Sequence, residues 1–593
     1  MATKSTPQNN NKIDITCRIG GEAGYGIMTS GLIIGKLFKR LGLHVFSFVE
    51  YPSLIRGGHN VFTIRASNEP VSSQRKGVDI LIALNEETVA LHLEDLKEGG
   101  FLISNKDKVD LSKFKIKKSI KVIEIPLISI VNELKGLEVM MNNVAIGAFF
   151  ALLCSQKSIL DSIIDDTFCI KDRGNVCMLN MNCAGKGFNF IKENTDWFNY
   201  YNIKPKKDKN FLMTGNDAIC LGAIKGGMQF FACYPMTPIN SILAFFAKYG
   251  PKLGICYFQP EDEISGINST IGASFAGVKS MVATSGGGFS LMVETYGLAG
   301  ITETPIVIIE GQRPGPATGL PTWTGQGDAR FVLHAAQDDF VRVVLTPGDP
   351  KECFDFTQLA FKIAYKYQVP VVVLTDKHLA ESYFTINEKE IKKEGIDYDL
   401  YSIATKDDIK QDGYKRYRLT KTGVSNRALP GFPEEFVFVA NSDEHNEYGF
   451  SDEDAENRIQ QMEKRMKKIK YIEKEMPKHK IYGNKNSKIG LLSFGSTKGQ
   501  VLEAQKILKD QRIETSFLNL MYLNPFPTKE VLNFVAGKKK LFLFEQNYSM
   551  QLRGLIREKT GIDIENCYNK YDGRQFYPED IAEFVKKGIK KKI

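Results

Sequence analysis

The chain has 593 residues, enough for about three or four domains at roughly 100–200 residues each. Apolar residues make up 43% and charged residues 25%, the mix of an ordinary globular protein. The net charge of +9 gathers in Lys-rich tracts such as 204–209 and 586–592 without any nucleic-acid-binding motif, so no nucleic-acid partner is expected.

The first stretch, 1–12, is polar and lacks the apolar core of a signal peptide; it reads as a disordered tail, and the protein as cytoplasmic. The longest apolar run, Val144–Cys154, has 11 residues. A membrane helix needs roughly 18, so a buried helix and no membrane partner are predicted. Ten cysteines are scattered with no Cys-x-x-Cys pair and read as reduced core residues. The seven histidines are isolated, so neither a zinc site, an iron–sulfur cluster nor any other metal site is expected in this chain.

Residues 13–203 read as an α/β unit. A strand at Asp14–Ile19 enters the glycine-rich turn Gly20-Gly21-Glu22-Ala23-Gly24-Tyr25-Gly26, and a helix pattern runs from Ile27 to Leu41. Further strands at His44–Phe48, Asn60–Arg65 and Ile80–Ala83 suggest a largely parallel sheet. Residues 204–210 form a basic linker. A second α/β unit, 211–387, has strand candidates at Gln229–Cys233, Ser280–Ala283, Thr304–Ile309, Phe340–Leu345 and Val369–Leu374. Residues 388–486, rich in Lys, Glu, Asp and Tyr, read as a linker or arm, with Glu456–Lys480 as a solvated helix. A third, smaller α/β unit occupies 487–593, with strands at Ile489–Phe494, Ile513–Asn519 and Lys540–Glu545. The fold class is therefore α/β, in three units.

The first glycine turn is not a dinucleotide fingerprint, which needs Gly at i, i+2 and i+5. From Gly21, position i+2 is Ala23; from Gly24, position i+5 is Thr29. Gly20, Gly21, Gly24 and Gly26 still open a helix, so their backbone could meet a phosphate or merely redirect the chain. Arg56-Gly57-Gly58 is a second such loop, with Arg56 either a phosphate contact or a solvated side chain.

The second unit is richer in chemistry. Thr237, between Pro235 and Pro238, is either a rigid carboxylate seat or part of a structural turn. Glu261 and Asp262 suit simple helix capping, whereas Glu263 enters an apolar, Gly/Ala-rich helix and suits a buried proton-shuttling group. Ser285-Gly286-Gly287-Gly288 opens another helix. Arg313 stands in the rigid loop Gly311–Thr322, where a guanidinium can bind a carboxylate bidentately. Loops at successive strand ends converge on one crevice, so a small anionic substrate is expected.

Tyr234–Pro238, Glu261-Asp262-Glu263 and Gly311–Thr322 resemble the α subunit of the 2-oxoacid:ferredoxin oxidoreductases. Gly20–Gly26 and Arg56-Gly57-Gly58 resemble that family's γ domain, here preceding α in one chain. Tyr414–Tyr417, Gly423–Gly431, Asn441–Gly449 and Glu545-Gln546-Asn547 with Gln551-Leu552 extend the likeness over nearly the whole length. The resemblance implies a γ domain covering coenzyme A, a pyrimidine-binding domain of thiamine enzymes and a transketolase C-terminal-like domain. It implies oxidative decarboxylation of a 2-oxoacid with coenzyme A to acyl-CoA and CO2, with electrons passing to ferredoxin.

In such enzymes a glutamate hydrogen-bonds the aminopyrimidine of thiamine diphosphate. Glu263 matches it, with Glu261 as fallback. Thr237, Arg313 and Thr322 would hold the substrate, and Gly20, Gly21, Gly24, Gly26 and Arg56 would contact coenzyme A. No Gly-Asp-Gly diphosphate signature and no cluster cysteines occur here. The resemblance therefore assigns Mg, the diphosphate and a 4Fe-4S cluster to a separate β subunit, in a heterodimer or a dimer of heterodimers that is inactive without β. One departure is Gly325-Gln326 after Thr324, where the family pattern suggests Glu-Gln, which leaves no acid at that point of the loop.

The fused order and the arginine loop favour 2-oxoglutarate over pyruvate or a branched or aryl 2-oxoacid. A non-catalytic scaffold or sensor is disfavoured by the retained Thr237, Glu263 and Arg313, and a nicotinamide dehydrogenase by the failed glycine spacing.

Overall fold

The computed structural model describes residues 13–54, 57–169, 174–391 and 395–590. Arg56, one of the expected coenzyme A contacts, and the tail 1–12 lie outside them. The chain divides into two compact units: Met1–Met213 with Ser382–Glu390 and Tyr577–Glu579, and Thr214–Glu381 with Ile391–Phe576 and Asp580–Ile593. Among the described residues three sheets carry the expected α/β architecture.

The first unit holds an eight-stranded sheet. The strands Asp14–Glu22, Val78–Ala83, Leu96–Asn105 and Lys121–Ile125 run parallel, as alternation with helices predicts. The sheet is nevertheless mixed, because His59–Ser67 pairs antiparallel with both Asp14–Glu22 and His44–Glu50. Among the described residues no helix separates His44–Glu50 from His59–Ser67, and only eight residues join them. A short loop can join only antiparallel neighbours, since parallel ones need a long crossover. The strand Tyr383–Asn387 pairs with His44–Glu50, so 382–390 falls in this unit, whereas the sequence boundaries put 382–387 in the second α/β unit and 388–390 in the arm.

The helix Met141–Leu153 is buried at every residue, and from Val144 onward it is apolar all round. It crosses the helix Asn175–Asn194 at glycines: a Cβ on Gly147 would meet the Ala184 carbonyl at 2.0 Å, and one on Gly187 the Val144 carbonyl at 1.8 Å. Among the described residues no single helix is long and apolar enough to cross a membrane. Most cysteines are buried, but Cys256 is exposed and Cys567 half-buried. The reading of all ten as reduced fails at Cys169 and Cys177, which form a disulfide with Cα atoms 5.1 Å apart, where two successive helices meet.

The second unit holds two sheets. Its seven-stranded sheet runs in the order Tyr522–Asn524, Val343–Leu345, Pro370–Asp376, Ile306–Gln312, Ser280–Thr284, Phe230–Cys233, Cys256–Phe258. It is parallel except at Tyr522–Asn524, an antiparallel edge strand contributed by the C-terminal region. The other sheet, of five strands, is built around Ile489–Phe494, Ser516–Leu520 and Lys540–Glu545.

The arm departs from its predicted character. Its charged helix, Ala455–Lys467, is not merely solvated: Lys464 and Lys468 are 1% exposed and reach the buried Glu303. Lys464 Nζ contacts Glu303 Oε1, and Lys468 Nζ lies 2.6 Å from Oε2. Arg416 donates to the Glu303 carbonyl at 2.9 Å. Burial alone would raise the Glu303 carboxyl, but Lys464, Lys468 and Arg416 outweigh it and hold the group well below its ordinary range. The cations enter the interior because a carboxylate is buried with them.

Candidate functional site

The site is built from loops at the C-terminal ends of the parallel strands in the second unit, the usual place for a ligand in an open α/β sheet. The helix Glu263–Phe275 starts after the strand Cys256–Phe258. Asp262 caps it, its side chain accepting from Ser265 N at 2.8 Å. That fixes Glu263 in the first turn, where it is 3% exposed, and its Oε1 is buried with no hydrogen-bond partner. Glu261, by contrast, is exposed.

The turn Ser285–Gly288 makes room for this carboxyl. A Cβ on Gly288 would lie 2.5 Å from Glu263 Oε1 and 2.7 Å from its Cγ. A Cβ on Gly286 would lie 2.4 Å from Asp328 Oδ2. Gly286 and Gly288 are therefore packing requirements of two carboxylates, whereas a Cβ on Gly287 would meet only Ala317 O at 3.7 Å.

The strand Ile306–Gln312 leads into the arginine loop. Leu320 N donates to the Pro314 carbonyl at 2.9 Å, and Gly319 turns at φ +53° where a Cβ would strike Pro314 O at 1.9 Å. Arg313 Nη1 donates to the Thr237 carbonyl at 2.9 Å, while its Nε is buried without a partner. Arg313 and Thr237 are thus brought together, and Glu263 acts on the same guanidinium electrostatically. Burial pulls Arg313 below its ordinary value and Asp328, Glu263 and Glu310 pull it back. Thr322 is buried at the far end of the loop.

Two acids that act on Arg313 escaped the sequence reading. Glu310, within the strand, is fully buried; Asp328 follows the loop and is half-buried. Asp328 N donates to Gln312 Oε1 at 3.1 Å. Burial, then Asp328, then Asp376 push the Glu310 carboxyl well above its ordinary range, and burial lifts Asp328 to about 6. The signal was a Glu inside an otherwise apolar strand core. Gln326, noted as a departure in the loop, is structural: its Nε2 donates to the Phe494 carbonyl at 3.0 Å, and Gln546 N donates to its Oε1 at 3.1 Å.

In the first unit Gly20 and Gly21 are strand residues, not turn residues, paired opposite Val61 and Asn60. The space beside Gly20 is filled: a Cβ there would meet Thr88 Cγ2 at 2.6 Å and His59 Cε1 at 2.9 Å. Gly24 and Gly26 form the true turn, at φ +97° and +72°, with open space beside Gly24. Ala23 N donates to the Gly58 carbonyl at 3.1 Å, which joins the two glycine loops.

Comparison with known proteins decides the family. Residues 221–464 match the family described as pyruvate flavodoxin/ferredoxin oxidoreductase, thiamine diP-bdg. Residues 16–190 match pyruvate ferredoxin/flavodoxin oxidoreductase, and 487–581 match pyruvate:ferredoxin oxidoreductase core domain II. A 2-oxoacid:ferredoxin oxidoreductase subunit alpha from Sulfolobus sp is 33% identical, with 96% of each chain covered. This chain belongs to the 2-oxoacid:ferredoxin oxidoreductase α-subunit family. A 2-oxoglutarate synthase subunit KorA from Methanocaldococcus jannaschii is 35% identical over 63% of this chain and 98% of its own length. Among solved structures, the 2-oxoglutarate:ferredoxin oxidoreductase from Magnetococcus marinus, with 2-oxoglutarate, coenzyme A and succinyl-CoA bound, has TM-score 0.89 at 33% identity. It covers 97% of this chain and 100% of its own. An α subunit of an oxidoreductase implies further subunits.

Proposed function

We propose that this chain is the substrate-binding and thiamine-activating half of a coenzyme-A-acylating 2-oxoglutarate:ferredoxin oxidoreductase. The observation that carries the reading is an unpartnered, buried carboxyl oxygen on Glu263 that acts on Arg313, itself held against Thr237 in a rigid loop at the strand ends. Thiamine diphosphate, when bound, supplies the carbon that adds to the oxo group and the electron sink for loss of CO2. The donor set fits its pyrimidine: Glu263 Oε1 is a buried acceptor awaiting a donor. Glu263 holds and moves a proton at that oxygen. Arg313, steadied by Thr237, takes the substrate's carboxylate, and Thr322 orients the oxo end. Gly24, Gly26 and the Gly57–Gly58 loop offer backbone to coenzyme A, with Gly20 and Gly21 as their strand support and Arg56 as a further contact.

A β subunit would bring the diphosphate, Mg and the 4Fe-4S cluster, in a cytoplasmic heterodimer or dimer of heterodimers that reduces ferredoxin. Uncovered apolar side chains around Glu263 support such a partner: Phe258 on the sheet edge, Ile264 and Leu291 are all at least 40% exposed. The names of the KorA relatives and of the Magnetococcus enzyme favour 2-oxoglutarate; pyruvate is the competing substrate.

The test is an anaerobic assay of this chain with its β partner. Coenzyme-A-dependent reduction of a viologen dye is followed with 2-oxoglutarate, pyruvate and 2-oxoisovalerate. Preference for 2-oxoglutarate upholds the reading; preference for another acid replaces the substrate; no reduction by any acid in an intact complex removes the reading altogether.

A further inference from the structure

Beside Arg313 lies a pair of carboxyls with no evident structural duty. No donor among the described residues reaches Glu310 Oε1, Glu310 Oε2 or Asp328 Oδ2. The two carboxyls lie close enough that each acts on the other, a repulsion that a proton held between them relieves. Gly286 is the residue that lets Asp328 enter, since any Cβ there would collide with its carboxylate. Gln312 pins the Asp328 backbone from the strand that carries Glu310. A buried polar group left without partners is costly, so its retention beside a substrate arginine calls for a use.

Among the described residues, three charged groups bear on the pair or its arginine. Arg313 is the cation. Asp376 is a third carboxyl, held by Leu379 N at 3.1 Å, and it pushes the proton toward Glu310. Glu263 acts on Arg313 from the other side. With one proton on Glu310, Asp328 is the anion that acts most strongly on the guanidinium.

We propose that the Glu310–Asp328 pair is a positioning device for Arg313 that takes up a proton when the oxoacid binds. The inference rests on Arg313 being the carboxylate seat. In the free site the guanidinium is balanced by Asp328. When the substrate carboxylate arrives, Arg313 exchanges one anion for the other. A second anion so close, in surroundings poor in water, is then neutralised by a proton from solvent. When the carboxylate leaves as CO2, Asp328 resumes its charge and the proton returns to solvent. The pair thus keeps Arg313 balanced before binding and frees it afterwards.

The test is calorimetric. 2-Oxoglutarate, and separately pyruvate, is titrated at pH 7 into the complex of this chain with its β partner, freed of thiamine diphosphate so that nothing turns over. Two buffers of different ionisation enthalpy report the protons exchanged. Wild type should take up about half to one proton per ligand bound. Asp328→Asn, close in shape, should still bind but take up none, and Glu310→Gln should lower the uptake. A purely structural role would leave proton uptake unchanged in both variants, and that result, or wild-type binding with no uptake, overturns the proposal. If neither acid binds and Arg313→Lys behaves as wild type, the carboxylate seat itself is misplaced, and the proposal falls with it.

Discussion

Gly288 cedes the volume of a missing Cβ to the carboxyl of Glu263, whose Oε1 would otherwise lie 2.5 Å away. Residue identity at 288 is therefore set jointly by Thr284, whose Oγ1 a Cβ would meet at 2.1 Å, and by a side chain 25 positions earlier in the chain. Gly288→Ala should displace Glu263 while leaving the fold intact. Misplacing a catalytic group by about 1 Å costs on the order of 10²-fold. Dye-reduction kinetics, with circular dichroism to confirm folding, check this.

Glu263 and Glu261 differ in burial, and they should differ in consequence. Glu263→Gln keeps the shape but cannot take a proton, and turnover should fall by about 10²–10⁴-fold. Glu261→Gln, on an exposed residue, should stay within about twofold of wild type. The two rate constants measured side by side decide which glutamate serves thiamine.

The buried Glu303 cluster should govern stability. Glu303→Gln leaves Lys464 and Lys468 without their carboxylate, and breaking such a pair costs about 3–5 kcal/mol. The sign with pH follows from the depressed carboxyl. The folded state binds the proton less readily than the unfolded chain does. The contribution is therefore fully present above the ordinary carboxylate range and is lost as pH falls below about 4.5. Denaturant titrations between pH 6 and pH 3 should show wild type losing stability more steeply than Glu303→Gln.

Much of this was legible in advance, and the failures share a cause. Strands such as Ser280–Thr284 and Lys540–Glu545 announce themselves by apolar runs bounded by glycine or lysine. The helix Met141–Leu153 does so by the unbroken apolar stretch that begins at Val144. Glu263 stood out as a carboxyl entering an apolar helix. What local pattern could not reveal were relations between distant residues. The charge-rich arm helix looked solvated because Glu303, about 160 positions upstream, is invisible in a window of sequence. Glu310 drew no reading, because it lies just past the expected strand Thr304–Ile309 and its partner Asp328 lies beyond a long loop. The antiparallel pairing of His59–Ser67 depended on a connection whose length, not composition, was informative.

The crossing of Met141–Leu153 with Asn175–Asn194 leaves no room for a methyl group. Gly187→Ala would drive a Cβ to 1.8 Å from the Val144 carbonyl, so the helices must part. Overpacking of this kind costs about 1–3 kcal/mol or more. A lowered midpoint in thermal unfolding is expected. Gly185→Ala, on the same helix with only the Lys157 side chain nearby, should shift it far less.

The strand Tyr522–Asn524 closes the edge of a sheet whose other members end at Asp376. Its partner Val343–Leu345 leaves the ribosome long before it does. At roughly 5–20 residues per second, translation separates the two by about 10–40 s. Through that interval the nascent chain carries a finished sheet with one bare edge, the kind of surface on which strands of other chains can add. Synthesis order thus makes the last hundred residues the guardian of the middle of the protein, and a chain stopped before them would be released with its adhesive side showing.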